Sequence, residues 1–237
     1  MRNVANINRD PIIPISSVQW NPGWRIISSR FPTIQLFERV AEKDDLNALF
    51  YIESMTNDRL RDDAGQIRII PEEERVYGPG SHYIMAPFTH LSPTGSRFSD
   101  GRYGVFYAAL ELQTAISETK HHRESFLRAT HQPPIKCEMR VLTCQIEADL
   151  HNILDFWNQW PDLYNPHSYI ASQQIGANLK NKGSSGILFH SVRHSGGHCA
   201  AIFKPKAISH CKQERHLAYH WDGEKIAHVY EIQEIKL

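Results

Sequence analysis

The sequence predicts an α+β protein with a single core, in which short strands are covered by amphipathic helices. Three features point to this class. A five-residue apolar run at 105–109, bounded by Gly104 and the polar start of a helix, has the length of a buried strand. Two hairpin signals follow further on, Gly196-Gly197 and Asp222-Gly223, each flanked by apolar segments with period-two character. Helical spacing recurs in between, first at 112–127 and again at 168–179.

Size and composition agree with one domain. A chain of 237 residues that is 41% hydrophobic is long enough to bury a sizeable core. Its formal charge is zero, so no basic excess advertises direct nucleic-acid binding or an anionic membrane surface. No apolar run approaches the roughly 18 residues needed to span a bilayer. The cysteines Cys137, Cys144, Cys199 and Cys211 form no C-x-x-C pair, and the N-terminus lacks a signal-peptide pattern. Reduced thiols in a cytoplasm are expected.

In chain order, residues 1–23 carry Pro11, Pro14 and Pro22, which suits an extended N-terminal arm. From Trp24 to 237 the chain reads as the domain proper. Trp24, Ile26 and Ile27 suggest a short strand carrying Arg25. Ile34, Leu36, Phe37 and Val40 suggest a first helix, and Asp44 offers an N-cap to a second over 45–52. Residues 57–80 are dense in charge and turn residues, a surface excursion with a brief strand at 67–70. Together 24–86 form a helical and loop insertion, and 82–95 lead as a loop into the strand at 105–109. The helix after that strand puts Leu112, Ala115, Ile116, Thr119, Phe126 and Leu127 on one stripe, with Glu118 at its edge beside Ala115 and His122.

Pro133-Pro134 stops this helix, and 137–146 reads as a strand. Residues 150–160 are ambiguous between helix and loop. After the helix at 168–179 come strands at 186–191 and 199–203, with Ile187, Phe189 and Ser191 on one face. A C-terminal hairpin within 204–237 closes the chain, its two strands joined at Asp222-Gly223.

Candidate chemistry centres on Arg97, Tyr107 and Glu118, placed on loop, strand and helix in turn. Taken singly, each has a plain structural reading: Arg97 pairing with Asp100, Tyr107 filling the core, Glu118 pairing with His122 one turn on. His190, His194 and His198 recur at four-residue intervals, but that spacing aligns ligands only on a helix, and Gly196-Gly197 argues for strand and turn. No metal site is expected. Dinucleotide-fold, P-loop and hydrolase-elbow signatures are absent. The loop Gly183-Ser184-Ser185-Gly186 reads as a plain turn before it reads as an anion cradle.

Four segments taken together resemble the RES-domain proteins, the toxins paired with Xre-type antitoxins. They are Gly95-Ser96-Arg97-Phe98, Gly104-Val105-Phe106-Tyr107-Ala108-Ala109, Ala115-Ile116-Ser117-Glu118-Thr119 and Gly186-Ile187-Leu188-Phe189-His190-Ser191-Val192-Arg193, within core motifs spanning 87–203. Trp24-Arg25-Ile26 is a weaker match to the family's opening arginine, with Arg30 as a competitor. His198 stands where an asparagine is expected.

The resemblance implies a fold like that of ADP-ribosyltransferases, with a split β core and surrounding helices. It implies an enzyme that degrades NAD at the nicotinamide–ribose bond, as glycohydrolase or phosphorylase, with NAD as substrate and no prosthetic group. Glu118, Arg97, Tyr107 and Ser191 would be catalytic. Arg25 and Arg97 would hold the pyrophosphate, Tyr107 would stack on a ring or orient Glu118, and Ser191 would bond ribose or phosphate. An Xre-type antitoxin, and a homodimer, are the partners implied. Mono-ADP-ribosyl transfer to a protein, and a non-catalytic nucleotide-binding or partner-binding module, are the alternatives.

Overall fold

The computed structural model describes residues 12–29, 67, 69–233 and 235. Its organising strand is β3 (Ile135–Asn152), 18 residues long, which has three neighbours. Along one edge, β1 (Ile15–Ser28) pairs antiparallel from Ile15↔His151 to Ser28↔Met139, with one register shift between Trp20 and Gly23. Along the other edge, β6 (Ile208–Trp221) pairs antiparallel from Ile135↔Trp221 to Ile146↔Ile208, and β7 (Ile226–Ile232) lies outside it.

Beyond Ile146 the second edge changes partner. Strand β4 (Gly186–His190) joins β3 in parallel at His151↔Ile187 and Asn152↔Leu188. A hairpin takes β4 into β5 (His198–Ile202), which pairs with β2 (Phe106–Ala109), and β2 meets β1 at Trp24↔Ala109. The pairings β1-β2-β5-β4-β3-β1 therefore close into a ring, with β6 and β7 carried on the limb where β3 forks. That fork is the split expected of the β core.

Period-two alternation sends neighbouring side chains to two cores. Phe106, Ala108, Leu142, Cys144, Ala200 and Ile202 pack with Ile84, Met85 and Phe88 of α1 (Ser81–Thr89). Ala109, Val141, Phe189, Cys199, Ala201 and Tyr219 pack with Ala115 and Leu127 of α2 (Leu112–Ala129) and Leu179 of α3 (Ile170–Asn181). Among the described residues three α-helices lie on one mixed sheet, an α+β arrangement, and none of these helices is long and apolar enough to cross a membrane.

Several local expectations change. Strand β1 begins at Ile15 and buries Val18 and Trp20, so residues 15–23 belong to a packed element and β1 runs through the 23/24 boundary between arm and domain. Of the strand expected at 67–70, the described residues Ile67, Ile69 and Ile70 lie in no strand, and Ile67 and Ile70 bury their side chains in the first core. The segment read as a loop from His82 is α1, entered through left-handed Gly80 and tolerating Pro87 in its last turn. Pro87 and Gly78-Pro79-Gly80 hid it, because both are breaker signals.

Residues 150–152 continue β3, and a single 3₁₀ turn, Leu154–Phe156, follows. Phe126 is 52% exposed, off the buried stripe of α2. The C-terminal hairpin turns through four residues, with Trp221↔Ile226 as the last pair and the Asp222 carboxylate accepting the N–H groups of Glu224 and Lys225. The helices expected at 34–40 and 45–52, and Arg30, lie outside the described residues.

Candidate active site

Arg97 is held by a loop with little freedom. Gly95 takes a left-handed φ of +71°, where a Cβ would meet Ser99 O at 2.3 Å. Ser96 and Ser99 then bridge back on each other. From α3, Gln173 Nε2 donates to Ser96 O (3.1 Å) and Ser99 O (3.2 Å). From β2, the Tyr107 hydroxyl accepts the Phe98 N–H (2.9 Å) and is hydrogen-bonded to Ser96 Oγ (2.9 Å). Tyr107 thus ties strand to loop through its hydroxyl. Burial pushes its phenol up to about 12, which keeps it protonated at neutral pH.

The Arg97 side chain is itself buried. Its Nη1 donates to Leu163 O (3.0 Å) and Asn165 O (3.2 Å), and its guanidinium lies over the Tyr169 ring at 4.6 Å. No salt bridge reaches it among the described residues. Burial lowers its pKa, while Tyr169 and Glu118 pull it back up. Asp100, the expected partner, pairs with Arg102 instead. A buried guanidinium held by carbonyls and an aromatic face keeps its charge and favours an incoming anion.

Glu118 projects half-buried from the second turn of α2. Ser191, just past β4 and 4% exposed, donates its hydroxyl proton to Glu118 Oε1 at 2.6 Å. The same Ser191 Oγ accepts the N–H groups of Arg193 (3.1 Å) and His194 (2.9 Å), which leaves its one proton no better acceptor than the carboxylate. The loop behind it is tied down by Ser191 N–H to Gly197 O (2.8 Å) and by a Thr114 Oγ1–His194 Nδ1 hydrogen bond (2.8 Å).

These groups border a cavity of about 570 Å³, whose wall includes Trp24, Arg97, Tyr107, Glu118, His122 and Tyr169. Ser191 does not line it; it stands behind Glu118. Arg25 does line it, but its Nη1 donates to Tyr107 O (2.8 Å), its guanidinium lies over Phe106 (4.6 Å), and its Nε is buried without a partner. Arg25 therefore joins β1 to β2 at the wall of the cavity.

Sequence reasoning missed Tyr169, for which no local signal exists, and used His122 only as a neighbour of Glu118. The i, i+4 spacing of Glu118 and His122 was the available clue. Burial lowers the pKa of His122, against an upward pull from Glu118. His190 and His198 sit side by side across the β4–β5 hairpin with ring centroids 5.1 Å apart, while His194 turns to Thr114. No three potential ligands converge on one point among the described residues.

The sequence model of the RES domain matches residues 72–222, well over half of the chain and inclusive of Arg97, Tyr107, Glu118 and Ser191. The chain belongs to the RES family. This RES protein is similar to the uncharacterized protein y4oC of Sinorhizobium fredii (strain NBRC 101917 / NGR234), 28% identical over 208 residues that cover 87% of this chain and 86% of the relative. Among solved structures it is similar to a chain of the M. tuberculosis MbcT–MbcA toxin–antitoxin complex. The TM-score is 0.47 at 9% identity, over 85% of this chain and 86% of that one.

Proposed function

We propose that this RES protein degrades NAD by breaking the bond between nicotinamide and ribose, as the toxin of a toxin–antitoxin pair. The observation that carries the reading is the Ser191–Glu118 hydrogen bond, which aims a carboxylate into the same cavity that Arg97 and Tyr169 border. One oxygen of Glu118 is occupied by Ser191, and the other is left for the substrate.

When the C–N bond breaks, nicotinamide leaves with the bonding pair and positive charge builds on the ribose. A fixed carboxylate beside the sugar stabilises that charge, and because Glu118 is already oriented it needs little rearrangement as the bond lengthens. Arg97 supplies the cation for the pyrophosphate, its planar fork matching phosphate oxygens. Tyr169, which positions Arg97, also offers a ring face for stacking. The acceptor, water or phosphate, adds to the ribose carbon and gives up its proton to solvent. Tyr107 serves indirectly, by holding the loop that carries Arg97.

Purified protein incubated with NAD, with and without inorganic phosphate, should release free nicotinamide; phosphate dependence identifies a phosphorylase. Glu118→Gln should lower the rate by about 10²–10³-fold, the usual loss on removing one preorganised electrostatic group, with the thermal transition unchanged. No nicotinamide release in either condition would sink the proposal. The antitoxin belongs to the same proposal: a partner that restrains the toxin by closing the cavity should block nicotinamide release stoichiometrically.

A further inference from the structure

A second concavity, of about 490 Å³, shares Trp24 with the central cavity and lies over β1, β3 and β6. Three departures from regular strand geometry meet there. The β1–β3 register shifts between Trp20 and Gly23, the β3–β6 register shifts between Thr143 and Gln145, and His210 adopts a left-handed φ of 48°. Bulges and left-handed non-glycine residues are costly interruptions of a ladder and concentrate at binding sites. The volume falls within the roughly 300–1,000 Å³ of small-molecule sites.

The chemistry of the wall is specific. Pro22 and Trp24 give an apolar, planar side, Gln145 brings an amide, His210 an imidazole and Lys212 an ammonium group. Glu214 borders the same space, yet both its oxygens are taken by the Arg215 guanidinium. No salt bridge engages Lys212 among the described residues; the Glu214 carboxylate that it feels is held by Arg215, so the site presents the Lys212 ammonium beside a stacking surface. We infer that this concavity binds a nucleoside monophosphate, its base against Trp24 and Pro22 and its phosphate at Lys212 and His210. Base stacking on an aromatic face and a charge-assisted phosphate contact each strengthen binding, and neither alone recognises the whole ligand.

The test is calorimetric titration of the full chain with AMP, adenosine and inorganic phosphate, with amide chemical-shift mapping to locate the ligand. AMP should bind and shift amides at 143–145 and 209–214, with adenosine and phosphate each about tenfold weaker or more. Lys212→Ala should weaken AMP by a similar factor. His210→Gly, which suits the left-handed backbone and removes only the ring, should also weaken it. Shifts confined to the surroundings of Arg97, Glu118 and Tyr169, unchanged affinity in Lys212→Ala, or no AMP binding at millimolar concentration would each overturn the assignment. Because the readout is binding and not nicotinamide release, it is independent of whether NAD is cleaved.

Discussion

The carboxylate of Glu118 depends on a single hydroxyl. Because two backbone N–H groups already point at Ser191 Oγ, the hydroxyl's proton is directed to Glu118, and in the proposed reaction Ser191 would act through Glu118. A hydrogen bond to a charged group contributes about 1.5–3 kcal/mol, so Ser191→Ala should lower nicotinamide release by about tenfold to a hundredfold. Ser191→Thr keeps the donor and should retain more activity than the alanine variant. Equal losses in initial-rate assays of the two variants would show that something other than the hydroxyl matters. Tyr169 gives a parallel case. Its ring positions Arg97 by a cation–π contact typical of about 0.5–2 kcal/mol. Tyr169→Ala should therefore raise KM for NAD, and Tyr169→Phe, which keeps the ring, should not.

At the scale of elements, the site depends on how closely α3 lies on the Arg97 loop. Gly176 makes that approach possible, since a Cβ there would stand 2.3 Å from Phe98 O. Gly176→Ala should cost about 1–3 kcal/mol, the usual range for overpacking, seen as a lower midpoint in urea. It should also reduce activity, because the displaced loop carries Arg97; a variant with wild-type midpoint would show that helix and loop can separate freely. Much of this level was legible beforehand. The apolar run at 105–109 and the spacings at 112–127 and 168–179 correspond to β2, α2 and α3. Helix α1 was not legible, because burial by surrounding elements overrides breaker signals that dominate a local reading.

For the whole molecule, pH reports on the packing of α2. His121 has its pKa lowered from 6.5 to about 4, by burial first and then by Arg193 and His122. His122, His151 and His198 shift in the same direction, each chiefly through burial. Between pH about 6.5 and about 4 the unfolded chain binds more protons at His121 than the folded one does, so stability falls as pH falls through that window. The thermal transition should drop across it, and His121→Asn should flatten the slope. A variant slope matching wild type would remove His121 as a contributor.

Short-range chemistry alone specified the class of the fold, most strand and helix positions from 105 onward, and the family through four spaced segments, since each rests on periodicity or motif within a few residues. Two facts waited for the folded molecule. One is the closure of β1-β2-β5-β4-β3 into a ring with β3 forked between β6 and β4. The other is which side chain meets which: Ser191 against Glu118 across 73 positions, Arg97 over Tyr169, and Arg25 turned to Phe106. No local pattern encodes such pairings, because they arise from strands of distant sequence settling into register and from the direction each side chain then takes.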